Sequence, residues 1–185
     1  MNPLVAFDAI LIIDPWGKDW YLNEQLKEKP PWLYRRIATE VGNITQKTTD
    51  LLVNCDLHLV DDIIKDITIP LKTVTTLEGI DHHIKHSNTR IEGNQNILVV
   101  GAAWQCCLHY STLGIIGLIN AGYTVWTNER LVDTDINDTT VVSEQTIMKN
   151  EGVIWKKWND GFYEAVGINE EHPQVAEHLR KLQEL

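Results

Sequence analysis

Cysteine is scarce in this chain of 185 residues: Cys55, Cys106 and Cys107 are all there is. An odd number with an adjacent pair makes a poor disulfide framework, and no C-x-x-C spacing suggests a structural zinc site. A reducing, cytoplasmic compartment is the expectation. Long apolar runs are missing as well, and none approaches the roughly 20 residues that span a bilayer. The opening residues, Met1-Asn-Pro-Leu-Val-Ala-Phe-Asp8, carry no basic region and no cleavage pattern, so they do not read as a secretory signal. Positive charge is in deficit, with 16 Lys and Arg against 26 Asp and Glu and a net charge of −10. A nucleic-acid binder needs a basic face that displaces counterions, and Arg35-Arg36 and Lys156-Lys157 are too short to supply one. Neither nucleic acid nor membrane is therefore expected as a partner. Internal repeats, low-complexity segments and linkers are absent, so residues 1–185 are expected to form a single domain.

What is present is an alternation of apolar strands and amphipathic helices. Val5 to Ile13 is nearly all apolar and ends at Asp14, as a central parallel strand would. Asp50 to Cys55 reads as a second strand, and His82 to His86 as a short third one. Ile97 to Val100 is a fourth, Tyr123 to Thr127 a fifth and Gly152 to Trp155 a sixth. Helices are expected over Trp32 to about Ile44, Leu108 to Gly122, Thr139 to Lys149 and Pro173 to Leu185. Pro31 and Gly122 sit where a helix start and a helix stop favour them. The region Leu59 to Thr76 is ambiguous, with Pro70 to Thr76 reading as extended. This pattern predicts an α/β fold: a doubly wound, Rossmann-like parallel sheet of about six strands with helices on both faces, a three-layer sandwich.

Ligands of such sheets bind outside the carboxyl ends of the strands. Asp14 and Cys107 both fall at such ends. Cys107 follows the strand-and-bend Ile97-Leu-Val-Val-Gly101-Ala-Ala and opens the next helix, where the helix dipole favours the nucleophilic thiolate. A cysteine at a strand–helix junction is also often a small buried hydrophobe. Cys106 reads as such a filler, with its side chain facing away from that of Cys107. Trp16 and Trp104, two of seven tryptophans, flank these residues and either line a pocket or fill the core.

Three pieces of sequence, Ile12-Ile13-Asp14, Gly79-Ile-Asp-His-His-Ile-Lys85 and Gly101-Ala-Ala-Trp-Gln-Cys-Cys107-Leu, then Gly122-Tyr123, together resemble the isochorismatase-like cysteine hydrolases. That family includes nicotinamidases and N-carbamoyl-amine amidohydrolases. The resemblance implies an enzyme that cleaves a C–N bond of a small amide or ureide through a cysteine thioester. It implies Cys107 as nucleophile, Asp14 as general base and Lys85 as the positive charge beside them. It also implies a cis peptide at Ala102–Ala103 that turns the amides of Ala103 and Cys107 into an oxyanion hole. A helix normally fills the stretch between the lysine and the cysteine strand; here only Ser87 to Gln95 remains for it. Asp14 is followed by Pro15-Trp16, a departure that changes the pocket wall, to which Trp16, Trp104 and Tyr110 are assigned.

Two other readings stay open at this level. One is a catalytically inactive relative serving as a binding or oligomerisation module. The other is a metal-dependent nicotinamidase, for which Asp56 and His58 are the candidate ligands and His82, His83 and His86 the further histidines. The ligand pattern expected beyond His58 is missing, so no metal and no cofactor is expected. A homodimer or homotetramer is implied by the resemblance, and Gly114-x-x-Gly117 would allow close helix approach. The substrate is a small molecule whose identity the sequence does not reveal.

Overall fold

The computed structural model describes residues 7–13, 36–37, 39–40, 50–54, 71–86, 95–102, 104–133, 142–149 and 151–185. Their order is β1 (Ala9–Ile13), β2 (Asp50–Asn54), β3 (Leu71–Thr73), α1 (Leu77–His86), β4 (Asn96–Ala102), α2 (Cys107–Tyr110) and α3 (Ile115–Asn120). There follow β5 (Thr124–Asn128), β6 (Val132–Asp133), α4 (Glu144–Met148), β7 (Val153–Lys157), β8 (Phe162–Ile168) and α5 (Pro173–Gln183). Residues 36, 37, 39 and 40 are also helical.

The fold is α/β. Strands run in the order β3-β2-β1-β4-β5-β8-β7, with β6 added to β4. From β3 to β5 all neighbours are parallel, whereas β8 is antiparallel to both β5 and β7. The sheet is therefore mixed rather than all-parallel, and it has eight strands among the described residues instead of about six. The antiparallel pair arises because only a short 3₁₀ turn, Asn159–Gly161, separates β7 from β8. A parallel return would need a crossover of a dozen or more residues.

Burial explains why the central strands are legible. Every residue of β1 is buried, as is β4 after Asn96. Strands covered on both faces read as continuous apolar runs. At their amino ends Asp8 donates its N–H to the Asn96 carbonyl and accepts from the Asn96 N–H, each at 2.8 Å. At their carboxyl ends Gly101 lies in register with Ile13. Gly101 has φ +119°, and a Cβ there would sit 1.8 Å from the Ile13 carbonyl oxygen. Only glycine permits that approach.

Two expected elements differ. His82 to His86 is not a strand but the last half of α1. Thr76 caps that helix by accepting the Gly79 N–H at 3.0 Å, and Ile80 and Ile84 form its buried stripe. The single helix expected over 108–122 is two short helices, α2 and α3, with Ser111 and Gly114 extended between them. A Cβ on Gly114 would lie 2.8 Å from the Leu108 carbonyl oxygen, and one on Gly117 would lie 2.5 Å from that of Thr112. Within the chain, these glycines allow close packing on the carbonyls of the preceding residues.

Candidate active site

The turn between β4 and α2 holds the candidate nucleophile. Gly101 N–H donates to the Leu131 carbonyl at 2.9 Å, which fixes the end of β4. The chain then passes through Trp104, Gln105 and Cys106 before α2 begins at Cys107. Gln105 adopts φ 61°, a left-handed conformation that side chains other than glycine seldom take. Its N–H donates to His109 Nδ1 at 3.0 Å, so a side chain one helical turn ahead holds the turn in shape. Accepting there leaves the ring proton on Nε2.

His109 is completely buried. Burial alone drives its pKa from 6.5 to about 3, so the imidazole stays neutral and Nδ1 stays an acceptor. The Trp104 ring meets it edge to face, centroids 4.4 Å apart, and lies 5.8 Å from the Trp155 ring. Trp104 is thus part of the core cluster, and its Nε1 has no hydrogen-bond partner among the described residues. Tyr110 reaches toward α5, donating its OH to Gln174 Oε1 at 3.3 Å and packing on His178. Burial raises the Tyr110 pKa, so the phenol keeps its proton.

Cys107 is half-buried and Cys106 exposed; both are thiols. Their sulfurs do not diverge as expected. Cys106 has φ −125° and ψ −109°, neither helix nor strand, and the two Sγ atoms lie 4.0 Å apart. The helix behind Cys107 is also shorter than expected. A four-residue helix carries only part of a macrodipole, so the dipole contributes little to a thiolate there.

Lys85 lies in the last turn of α1, exposed, with its Nζ 2.7 Å from Asp81 Oδ2. Asp81 in turn accepts from the Tyr123 OH at 3.4 Å, just ahead of β5. This puts Lys85 toward the edge where β4 and β5 begin. Cys107 follows the edge where β4 ends, seven residues away along that strand, or about 20 Å at the usual rise per residue. The structure therefore does not bring Lys85 to Cys107. A lysine that sequence reasoning passed over, Lys72, falls in β3 in register with Leu52, one residue before the end of that strand. The extended reading of 70–76 matches β3, and α1 lies between β3 and β4.

Asp14, Trp16, Asp56, His58, Cys55 and Ala103 lie outside the described residues. Ile13, the residue before Asp14, is paired with Gly101. Among the described residues no group of three or more His, Cys, Asp or Glu could hold a metal. His82 and His86 lie against each other along α1, ring centroids 4.3 Å apart and planes tilted by 52°. No helix among the described residues is long and apolar enough to cross a membrane. A scan against protein-family models, a search of curated proteins and a search of solved structures each returned no match.

Proposed function

We propose that the protein is a cysteine hydrolase that cleaves a C–N bond of a small amide or ureide through a thioester on Cys107. The observation that carries this reading is the register of Ile13 with Gly101. In sequence the residue after Ile13 is a carboxylate, Asp14, and Cys107 follows β4 by five residues, so the candidate base and nucleophile follow the ends of two neighbouring parallel strands. Ligands of parallel sheets bind at that edge. The resemblance of these residues to the isochorismatase-like hydrolases supplies the reaction class. The parallel run β3-β2-β1-β4-β5 supports the Rossmann-like, doubly wound arrangement that goes with it.

In this mechanism Asp14 takes the thiol proton as Cys107 Sγ attacks the carbonyl carbon. The proton passes to the leaving nitrogen as the C–N bond breaks, and Asp14 then activates the water that hydrolyses the thioester. The amides of Ala103 and Cys107 would hold the oxyanion. The positive charge is assigned to Lys72 instead of Lys85, because Lys72 stands near the carboxyl edge of a parallel strand and Lys85 is paired with Asp81. No cofactor is invoked, and the working unit is a homodimer or homotetramer acting on a small-molecule substrate.

The displacement of Lys85 also favours a second reading, a non-catalytic relative used as a binding or oligomerisation module. Release of ammonia or amine from a panel of primary amides, ureides and N-carbamoyl amines separates the two. The hydrolase reading expects turnover that falls to background in Cys107→Ala and by about 10²–10⁴-fold in Asp14→Asn. Lys72→Met should be severely impaired and Lys85→Ala should retain activity. Full turnover in a folded Cys107→Ala protein would overturn the reading.

A further inference from the structure

Neighbouring side chains in regular structure point apart, by about 100° in a helix and to opposite faces in a strand. Cys106 and Cys107 do not. Gln105 in the left-handed region and Cys106 at φ −125°, ψ −109° swing the two thiols to one side, with the sulfurs 4.0 Å apart. The buried His109 holds that turn through the Gln105 N–H. Cys106 is exposed and Cys107 half-buried, so the pair lies at the surface where solvent oxidants reach it.

We infer that Cys106 and Cys107 form a vicinal dithiol that a hydroperoxide closes reversibly to a disulfide between adjacent residues. The hydroperoxide transfers its terminal oxygen to one thiolate, giving a sulfenic acid and the corresponding alcohol, or water from hydrogen peroxide. The second thiolate attacks that sulfur. The S–S bond forms as the S–O bond breaks, and hydroxide leaves and takes up a proton. In sum, two thiols and one hydroperoxide give one disulfide, one alcohol and one water. Adjacent Cα atoms stand about 3.8 Å apart across a trans peptide, below the roughly 4.4–6.8 Å that relaxed disulfides favour. The ring is therefore strained and readily reopened by a dithiol, the behaviour of regulatory disulfides rather than structural ones. Closing it withdraws the Cys107 sulfur from any reaction it performs. The inference stands on the sulfur geometry and does not require the hydrolase reading.

The test is near-stoichiometric hydrogen peroxide on the whole protein, read by thiol titration and by intact and tandem mass spectrometry. The expected result is loss of two titratable thiols and of about 2 Da per chain, with the link mapped to Cys106–Cys107. Dithiothreitol should restore both thiols, and a Cys55→Ser variant should behave identically. In Cys106→Ser the remaining Cys107 should instead gain about 16 Da, one oxygen as a sulfenic acid. The inference is overturned if the unmodified sequence accumulates oxygen on one of the two cysteines while its neighbour still titrates. A disulfide that uses Cys55 or joins two chains would equally overturn it. Because the link is read in the unmodified protein, poor folding of a variant does not blunt the test.

Discussion

His109 links burial to chemistry at the level of single residues. Its ring is neutral because burial pushes its pKa down to about 3, against 6.5 in an open chain. Between those values the unfolded chain binds the extra proton and the folded one does not. Stability contributed by the neutral ring is fully present above pH 6.5 and is lost as pH falls toward 3, at up to about 1.4 kcal/mol per pH unit. His109→Leu should flatten that acid limb in urea titrations run from pH 3.5 to 7. At pH 7 it should cost about 1–3 kcal/mol, because the Gln105 N–H loses its acceptor. His109→Asn, which keeps an acceptor oxygen, should cost less. The sequence showed His109 as one more histidine near a thiol. Its hydrogen bond to a residue four positions earlier depends on the positive φ of Gln105, which no local pattern announces. The same unannounced conformation brings the Cys106 and Cys107 sulfurs together, where a regular backbone would have parted them.

Among the elements, the strands that frame the site were legible and the helices around it less so. β1 and β4 are covered on both faces, and Ile10 to Ile13 and Ile97 to Val100 have no polar position to confuse the reading. α1 was misread because His82-His83-Ile84-Lys85-His86, taken alone, is too short and has too few apolar positions to show a helical period. Its helical signal lies earlier, in the Thr76 cap and the four-residue spacing of Ile80 and Ile84, and Lys85 sits on that helix paired with Asp81 rather than on a strand. The break between α2 and α3 is tertiary: Gly114 and Gly117 press on carbonyls of the preceding turn while the apolar pattern runs straight through. β8 escaped because Glu164 and Gly167 interrupt its pattern. Two glycines make a paired test of these arguments. Gly122 closes α3 in a Schellman motif, with its N–H donating to Ile119 O and that of Tyr123 to Leu118 O. It has φ +95° and open space within 4 Å of where a Cβ would stand, whereas Gly101 has φ +119° and the Ile13 carbonyl in the way. Gly122→Ala should cost about 1–2 kcal/mol in urea unfolding. Gly101→Ala, with strain and clash together, should cost at least about 3 kcal/mol.

At the scale of the whole molecule, a parallel run of strands is flanked by an antiparallel hairpin, and the proposed chemistry belongs to the edge where β1 and β4 end. The alternation of strands and helices made the α/β class legible, and the apolar runs of β1 and β4 made their shared register legible. The hairpin was not, because β7 and β8 sit at one side of the sheet and expose Ile154 and Val166 instead of forming a buried run. The central claim is that Cys107 is a working nucleophile, and a small electrophile such as iodoacetamide tests it most directly. Exposure alone ranks Cys106 ahead of Cys107, since Cys106 is open to solvent and Cys107 is half-buried. Limited alkylation of the reduced protein at neutral pH, mapped by peptide mass spectrometry, should nonetheless label Cys107 before Cys106 and Cys55, because in the proposed mechanism Asp14 takes the Cys107 proton and the thiolate is the reacting form. Labelling that starts at Cys106 and leaves Cys107 intact would contradict the claim.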